Sequence, residues 1–210
     1  MGPLRNYFNQ TRKPEGTLGK LMLSGMNSGH AKLADWGISR LPDLSPARIA
    51  DLGCGGGRNL STLLQRYAAA QAEGVDYSPL SVKKALAYNE AAVKNGRCRV
   101  YEGDVSALPL ADGFYDLATA FETVYFWPGL KQCFAEVRRI LKPGGIFLIV
   151  NESDGTDLTG KKFEKIIDGM RIYTGGELTT ALKTAGFTPV EICRHGKKPW
   201  MAIVSRKEES

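Results

Sequence analysis

The sequence predicts an α/β protein built on a doubly wound, mostly parallel sheet. Two observations carry this prediction. Short apolar stretches alternate with helical patterns along most of the 210 residues, and acidic residues recur where the predicted strands end. Strands joined by helices run parallel, because each crossover helix returns the chain to the same end of the sheet. We expect seven strands, of which the last two form an antiparallel hairpin at one edge.

The strands are predicted at residues 47–52, 71–76, 97–101, 115–121, 146–150, 190–193 and 201–204. The helices that follow the first strand are predicted at residues 59–68, 80–94, 130–141, 158–170 and 175–185. Ser78 and Pro79 are a helix start signal, and Asn95-Gly96 is a stop signal. The stretch 142–145, Lys-Pro-Gly-Gly, is expected to end the helix before the fifth strand.

The residues before the first strand form a separate region. A helical pattern between residues 16 and 41 is interrupted near 26–30, where Ser28 is a candidate N-cap. We therefore predict an N-terminal helical extension over 1–44 and the α/β domain over 45–210.

Composition excludes several classes of protein. There is no apolar run long enough to cross a membrane and no signal-peptide pattern, so we expect a cytoplasmic protein without a membrane partner. The four cysteines lack metal-binding spacing, and no metal site is expected. The net charge is +6, and basic residues gather at the two ends of the chain. Because aromatic residues do not alternate with these charges, as a base-stacking surface would require, we expect no nucleic-acid partner. The sequence does not indicate an oligomeric state.

The turn after the first strand is the most informative stretch. It contains Asp51 and then glycines at alternate positions, Gly53, Gly55 and Gly57. Glycine permits positive φ and close approach of a ligand to the backbone, and the N-terminus of the next helix faces the same space. The spacing does not fit a dinucleotide fingerprint or a P-loop. A tight turn without a ligand remains the alternative for this stretch alone.

Acidic residues also lie at or just after the ends of three further predicted strands, as Asp51 does at the end of the first. Asp76 ends strand two, Asp104 follows strand three, and Phe121-Glu122 end strand four. With the glycine turn, the stretches 74–79, 103–128 and 141–145 give the chain from about 45 to 205 a clear resemblance to the class I S-adenosylmethionine (SAM)-dependent methyltransferases, in their small-molecule branch. The resemblance implies a Rossmann-like fold, SAM as cofactor and S-adenosylhomocysteine (SAH) as product.

The resemblance also implies residue roles. Asp76 would bind the ribose hydroxyls, Tyr77 would pack on the adenine, and Asp104 with the Val105 amide would bind the adenine amino group. The expected cofactor-binding residues are Asp51, Gly53, Cys54, Gly55, Gly57, Asp76, Tyr77, Asp104, Val105 and Phe121.

Methyl transfer is an in-line displacement that needs a base only when the acceptor loses a proton. The candidate bases are Glu122, His30 and Tyr125. Residues 124–128 are expected to line the acceptor side, with Glu152, Asp154 and Tyr173 opposite, and the N-terminal extension is expected to close over the site. The expected acceptor is a small molecule methylated on O, N or S. Alternatives are a nucleic-acid or protein methyltransferase, or a non-catalytic SAM-binding scaffold.

Overall fold

The computed structural model describes Gly16 and residues 30–209. The expected helix before residue 26 and the Ser28 cap lie outside these residues. The helices are α1 (Ala31–Ile38), α2 (Arg58–Arg66), α3 (Pro79–Tyr88), α4 (Glu90–Lys94), α5 (Leu130–Ile140), α6 (Leu158–Ile166) and α7 (Gly175–Thr184), with a 3-10 turn at Val124–Phe126. None of the helices in this part of the chain has the length and apolarity needed to cross a bilayer.

The strands form one seven-stranded sheet, as predicted. They are β1 (Arg48–Leu52), β2 (Gln71–Asp76), β3 (Cys98–Glu102), β4 (Tyr115–Phe121), β5 (Leu141–Asn151), β6 (Phe187–Arg194) and β7 (Met201–Lys207). Their order is β3-β2-β1-β4-β5-β7-β6. The first five are parallel, and β7 pairs antiparallel with both β5 and β6. The order reverses between β1 and β4, so the switch-point crevice lies at their carboxyl ends.

The predicted helix over 80–94 is wrong in one respect, because the chain breaks it into α3 and α4 at Asn89. The Asn89 side-chain amide is buried and donates to the carbonyl oxygens of Gly57, at 2.9 Å, and Ala85, at 3.0 Å. The amide thereby ties this helix pair to the glycine turn. The periodicity of the apolar residues continues through Asn89, so the sequence pattern did not predict the break between α3 and α4.

The predicted start of β5 is also corrected, from residue 146 to Leu141. Helix α5 does end before the Lys-Pro-Gly-Gly stretch, but these four residues belong to the strand. Leu141 pairs with Tyr115 and Ile146 pairs with Leu117, so five steps along β5 match two along β4. Gly144, at φ 72°, permits this irregularity, which glycine tolerates better than other residues.

Helix α1 packs on the α/β domain. Its buried residues Leu33, Ala34 and Ile38 share a hydrophobic cluster with Leu60 and Leu63 of α2. Gly37 lies directly over Val150 of β5, where an added Cβ would come within 2.3 Å of a valine methyl carbon. The absence of a side chain at residue 37 therefore sets how closely the extension approaches the sheet.

Replacing this glycine tests the packing. We expect Gly37→Ala to lower the free energy of unfolding by about 1–3 kcal/mol, because overpacking outweighs the gain in helix propensity of about 1 kcal/mol. Urea unfolding measures the change. Val150→Ala in the same chain should relieve the clash, so the two losses should not add. Gly176→Ala, where a Cβ meets no atom within 4 Å, is the matched control. Equal stabilities of Gly37→Ala and Gly176→Ala would contradict this packing.

Candidate functional site

The glycine turn is fixed to the neighbouring strand by backbone hydrogen bonds. The amides of Gly53 and Cys54 both donate to the Val75 carbonyl oxygen, at 2.7 and 3.1 Å. Gly53 has φ 76°, and an added Cβ would lie 2.1 Å from Thr123 Oγ1. Gly57, at φ 81°, begins α2, and the described side chains leave this helix N-terminus without a cap. Its exposed N–H groups therefore remain available to an anionic group.

Asp76 connects the tip of β2 to the glycine turn. Its Oδ2 accepts the Gly55 N–H at 2.9 Å, and its Oδ1 accepts the Ser78 N–H at 2.9 Å. Burial raises the pKa of Asp76, while the hydrogen bonds from Ser78 and Gly55 oppose that rise. Each carboxylate oxygen can accept a second hydrogen bond. The side chain can therefore hold the turn and still accept from a ligand.

A cavity of about 490 Å³ lies at the carboxyl ends of the strands. Its walls are Gly53, Gly55, Val75, Asp76, Tyr77, Ser81, Gly103, Asp104, Val105, Phe121, Glu122, Thr123, Phe126, Trp127, Pro128, Gly169, Arg171 and Tyr173. Seven of the ten expected cofactor residues are among them. Cys54 instead lines a smaller neighbouring cavity of about 60 Å³ with His30 and Glu122. Asp51 and Gly57 line neither cavity.

Asp51 is almost fully buried behind the turn, with 1% exposure. Its Oδ1 accepts the Thr119 hydroxyl at 2.7 Å, and none of the described residues donates to its Oδ2. Burial raises the pKa of Asp51 to about 7, and the Thr119 hydrogen bond limits the rise. A cation held over the turn would favour the charged carboxylate and lower this pKa.

The far end of the cavity is formed by the loop after β3. Asp104 Oδ1 accepts hydrogen bonds from the Ser106 amide, at 2.7 Å, and the Ser106 hydroxyl, at 2.6 Å. These contacts fix the carboxylate beside Val105. Tyr77, on the loop after β2, is 38% exposed and offers a ring face to the same space.

Four residues expected as base candidates or neighbours come together at the tips of β4 and β5. Tyr125 donates to Glu122 at 3.2 Å, the Glu152 amide also donates to Glu122, and His30 Nε2 lies 3.7 Å from a Glu152 oxygen. Single ligand atoms of His30, Glu122 and Glu152 lie within 4.8 Å of one another. Burial raises the pKa of Glu122 to about 8, against the hydrogen bonds from Glu152 and Tyr125. Glu122 also has φ 59°, a strained conformation for a non-glycine residue.

Some of the other residues expected to line the acceptor side do line the cavity, and others do not. Trp127 and Tyr173 line the cavity, whereas the Asp154 carboxylate accepts from the backbone and hydroxyl of Thr156 instead. Cys54, one of the expected cofactor residues, is buried with 6% exposure, and burial raises the pKa of its thiol well above the usual value. Arg171 was missed altogether. It follows α6 in a loop without a motif, and tertiary contacts place it in the wall, among them the hydrogen bond from its amide to the Tyr125 carbonyl oxygen at 2.8 Å.

We compared the sequence of the chain with protein families and known proteins. Residues 50–149 match the family model described as a methyltransferase domain. The chain therefore contains a methyltransferase domain of the class I, SAM-dependent type. A sterol 24-C-methyltransferase of Gibberella zeae is 28% identical over 73% of this chain and 44% of its own. A malonyl-[acyl-carrier protein] O-methyltransferase of Geobacter sulfurreducens is 30% identical over 71% and 58%. The methyltransferase chain thus spans about half the length of these curated relatives.

Solved structures agree on the fold. A chain from the complex of the Haloferax volcanii Trm112 methyltransferase activator with a methyltransferase superposes with a TM-score of 0.78 at 21% identity, covering 89% of this chain and 94% of that one. A SAM-dependent methyltransferase of Thermotoga maritima superposes with a TM-score of 0.71 at 19% identity, covering 98% and 100%. Both confirm the Rossmann-like sheet with its antiparallel C-terminal hairpin.

The raised pKa of Glu122 predicts a pH dependence of stability. The ordinary pKa of this carboxyl, which applies in the unfolded chain, is 4.5, and burial in the folded protein raises the pKa to about 8. Between these values the folded state retains a proton that the unfolded state has lost. The free energy of unfolding therefore falls as pH rises through this window, by up to about 1.4 kcal/mol per pH unit for this group.

Glu122→Gln removes this contribution. We expect the variant to gain stability over the wild type progressively from pH 5.5 to 8.5, measured by urea unfolding of the ligand-free protein. Glu90→Gln, at an exposed helix position paired with Lys94, is the control and should follow the wild-type slope. Parallel pH profiles for wild type and Glu122→Gln would contradict the raised pKa.

Proposed function

We propose that this chain binds SAM in the 490 Å³ cavity and transfers its methyl group to an O, N or S atom of a small-molecule acceptor. The observation that carries the proposal is the Asp76 carboxylate, which closes the glycine turn through Gly55 and lines the cavity at the tip of β2. A carboxylate in this position can accept both hydroxyls of a ribose. The family match supports the same reading.

The residues around the turn fit the rest of the cofactor. An added Cβ at Gly55, which has φ 52°, meets no atom within 4 Å, so the space over this residue is open to a ligand. The uncapped N-terminus of α2 suits a carboxylate. The unpartnered Oδ2 of Asp51 lies behind the turn and favours an ammonium above it. Asp104 and Val105 are available to the adenine at the other end.

The acceptor half of the cavity is aromatic and rigid. Trp127 donates its indole N–H to Thr123 Oγ1 at 3.2 Å and stacks on Phe147, with ring centres 6.2 Å apart. Phe126 and Tyr173 complete the wall. Bound SAM supplies an electrophilic methyl group on a sulfonium. The protein's contribution is to hold the acceptor atom in line with that group and to exclude water.

We propose Glu122 as the proton acceptor when the acceptor atom must lose a proton. Its carboxylate lines both cavities, and its pKa of about 8 gives it enough basicity to take a proton near neutral pH. Tyr125 orients it, and the Ser153 amide in turn donates to the Tyr125 hydroxyl at 3.1 Å. His30 and Glu152 lie next to Glu122 on the solvent side and provide an exit for the proton.

The N-terminal extension is proposed to cover the methionine end of the cofactor. Helix α1 contributes Leu33 and Ala34 to the small cavity, which also contacts Gly53 and Gly55. Arg58 at the start of α2 pairs with Asp35 at 2.8 Å and holds α1 beside the turn. The position of α1 beside the glycine turn supports this proposal.

Calorimetric titration with SAM and with SAH tests the cofactor site. We expect Asp76→Ala to lose at least about 100-fold in affinity, because the variant removes the carboxylate acceptor of the ribose and loosens the Gly55 amide. Asp43→Ala, at an exposed loop position, is the control and should bind as the wild type. Binding of SAH by Asp76→Ala with unchanged affinity would contradict the assignment. Formation of SAH in the presence of an acceptor panel then distinguishes a methyltransferase from a binding scaffold.

Glu122→Gln tests the proposed base. We expect kcat to fall by about 10²–10⁴-fold for an acceptor that must lose its proton. SAH affinity should change little, because the amide has the size of the carboxylate. Lys161→Gln, on α6, serves as the control for general effects of substitution. An unchanged kcat in Glu122→Gln across the pH range would exclude Glu122 as the proton acceptor.

A further inference from the structure

The structure assigns Arg171 as the group that holds a carboxylate on the methyl acceptor. This inference rests on the proposed function and names the class of its acceptor. The acceptor would combine an apolar or aromatic body, which contacts Phe126, Trp127 and Tyr173, with a carboxylate at the Arg171 end.

Charge is segregated along the cavity. Among the described residues that line it, the acids are Asp76, Asp104 and Glu122, and Arg171 is the cation. Asp76 and Asp104 follow β2 and β3, on one side of the switch point. Arg171 lies on the other side, beyond β5, and is tied to the loop after β4. The cofactor half therefore carries two acids, whereas the acceptor half, which Glu122 borders at the tip of β4, carries the cation Arg171.

Arg171 is held in place from two sides. Its amide donates to the Tyr125 carbonyl oxygen at 2.8 Å, which fixes the backbone against the loop that carries Glu122. The centre of its guanidinium lies 4.8 Å from the centre of the Tyr173 ring. Tyr173 is itself buried, with 6% exposure. Contact with a buried ring restrains the guanidinium beside the cavity that both residues line and leaves its N–H groups able to make hydrogen bonds.

The acid closest to this guanidinium satisfies it only in part. Glu177 approaches one guanidinium nitrogen at 3.4 Å. Its other carboxylate oxygen is engaged in the helix cap of α7, where it accepts the Thr174 amide and hydroxyl, each at 2.8 Å. The Arg171 side chain is 64% exposed. Donors therefore remain free of Glu177, and an incoming carboxylate can form charge-assisted hydrogen bonds with them.

The same neighbour disfavours a dianion. Glu177 repels every incoming anion, and at a given distance it repels a dianionic phosphate about twice as strongly as it repels a carboxylate. Arg171 also forms part of an open groove of about 650 Å³, which shares Pro128 and Tyr173 with the cavity. The groove gives the carboxylate end of the acceptor access from solvent.

The test is calorimetric titration of the SAH-saturated protein with paired probes. The carboxylates are 4-hydroxybenzoate, phenylacetate and hexanoate, and each is compared with its primary amide. We expect at least one carboxylate to bind about 10- to 100-fold more tightly than its amide in the wild type, which is the range for hydrogen bonds to a charged group. Arg171→Gln should abolish this preference without changing the affinity for SAH.

Three further variants sharpen the result. Arg171→Lys should retain part of the preference, because the charge remains and the fork is lost. Glu177→Gln should maintain or strengthen carboxylate binding, since glutamine can still make the helix cap while the competing charge is removed. Arg66→Gln is the matched control, because the Arg66 guanidinium also lies over a tyrosine, 5.6 Å from the Tyr67 ring centre, but far along α2 from the cavity.

Several results would overturn the assignment. These are carboxylates that bind no better than their amides or do not bind at all, a preference that survives in Arg171→Gln, and phenyl phosphate that binds more tightly than every carboxylate. Failure of the proposed function is distinguishable, because in that case SAH itself does not bind to the wild type.

Discussion

The hydrogen bond from the Gly55 amide to the Asp76 carboxylate, at 2.9 Å, joins the two features on which the rest of the site depends. It links the turn after β1 to the tip of β2, and the Gly53 and Cys54 amides reinforce the link through the Val75 carbonyl oxygen. The adjacent parallel pairing of β1 and β2 makes this geometry possible. Because the turn contains glycines, its backbone can approach both the strand and a ligand.

The sheet order then determines what each end of the cavity can bind. Strands β3, β2 and β1 place acids and backbone amides on one side of the switch point, where the groups of an adenosyl cofactor would be recognised. Strands β4 and β5 place Glu122, its hydrogen-bonded neighbours and the aromatic wall on the other side. Glu122 has a strained backbone, at φ 59°, and lines both cavities. In the proposed function, the strand order thereby separates the cofactor side from the acceptor side.

The sequence was sufficient for the fold because its signals are local. Strands β2 and β4 lie at their predicted bounds, and the acidic residues mark the carboxyl ends of the strands as expected. The break at Asn89 was not predictable, since it depends on a buried hydrogen bond to Gly57, a residue 32 positions away. The start of β5 was missed because a Pro-Gly-Gly stretch is typical of a turn, while pairing with β4 holds it in a strand.

In the proposed acceptor half of the site, even more of the structure depends on long-range contacts that the sequence does not reveal. His30, Glu122 and Glu152 come from three separate segments, and no spacing in the sequence indicates that their side chains meet. Arg171 lies in a loop that tertiary contacts with Tyr125 and Tyr173 hold at the cavity. Motifs predicted the cofactor residues because those residues occur at strand ends, where the fold itself places them. The residues proposed to contact an acceptor come from connecting segments, and tertiary packing decides where they lie.

The most direct measurement is a crystal structure of the protein grown with SAH. The account predicts density in the 490 Å³ cavity, with the ribose hydroxyls hydrogen-bonded to the Asp76 carboxylate and the adenine between Tyr77 and Val105. The homocysteine carboxylate should lie at the N-terminus of α2. Density for SAH at another site, or a ribose that leaves Asp76 without contact, would contradict the central role given to this carboxylate.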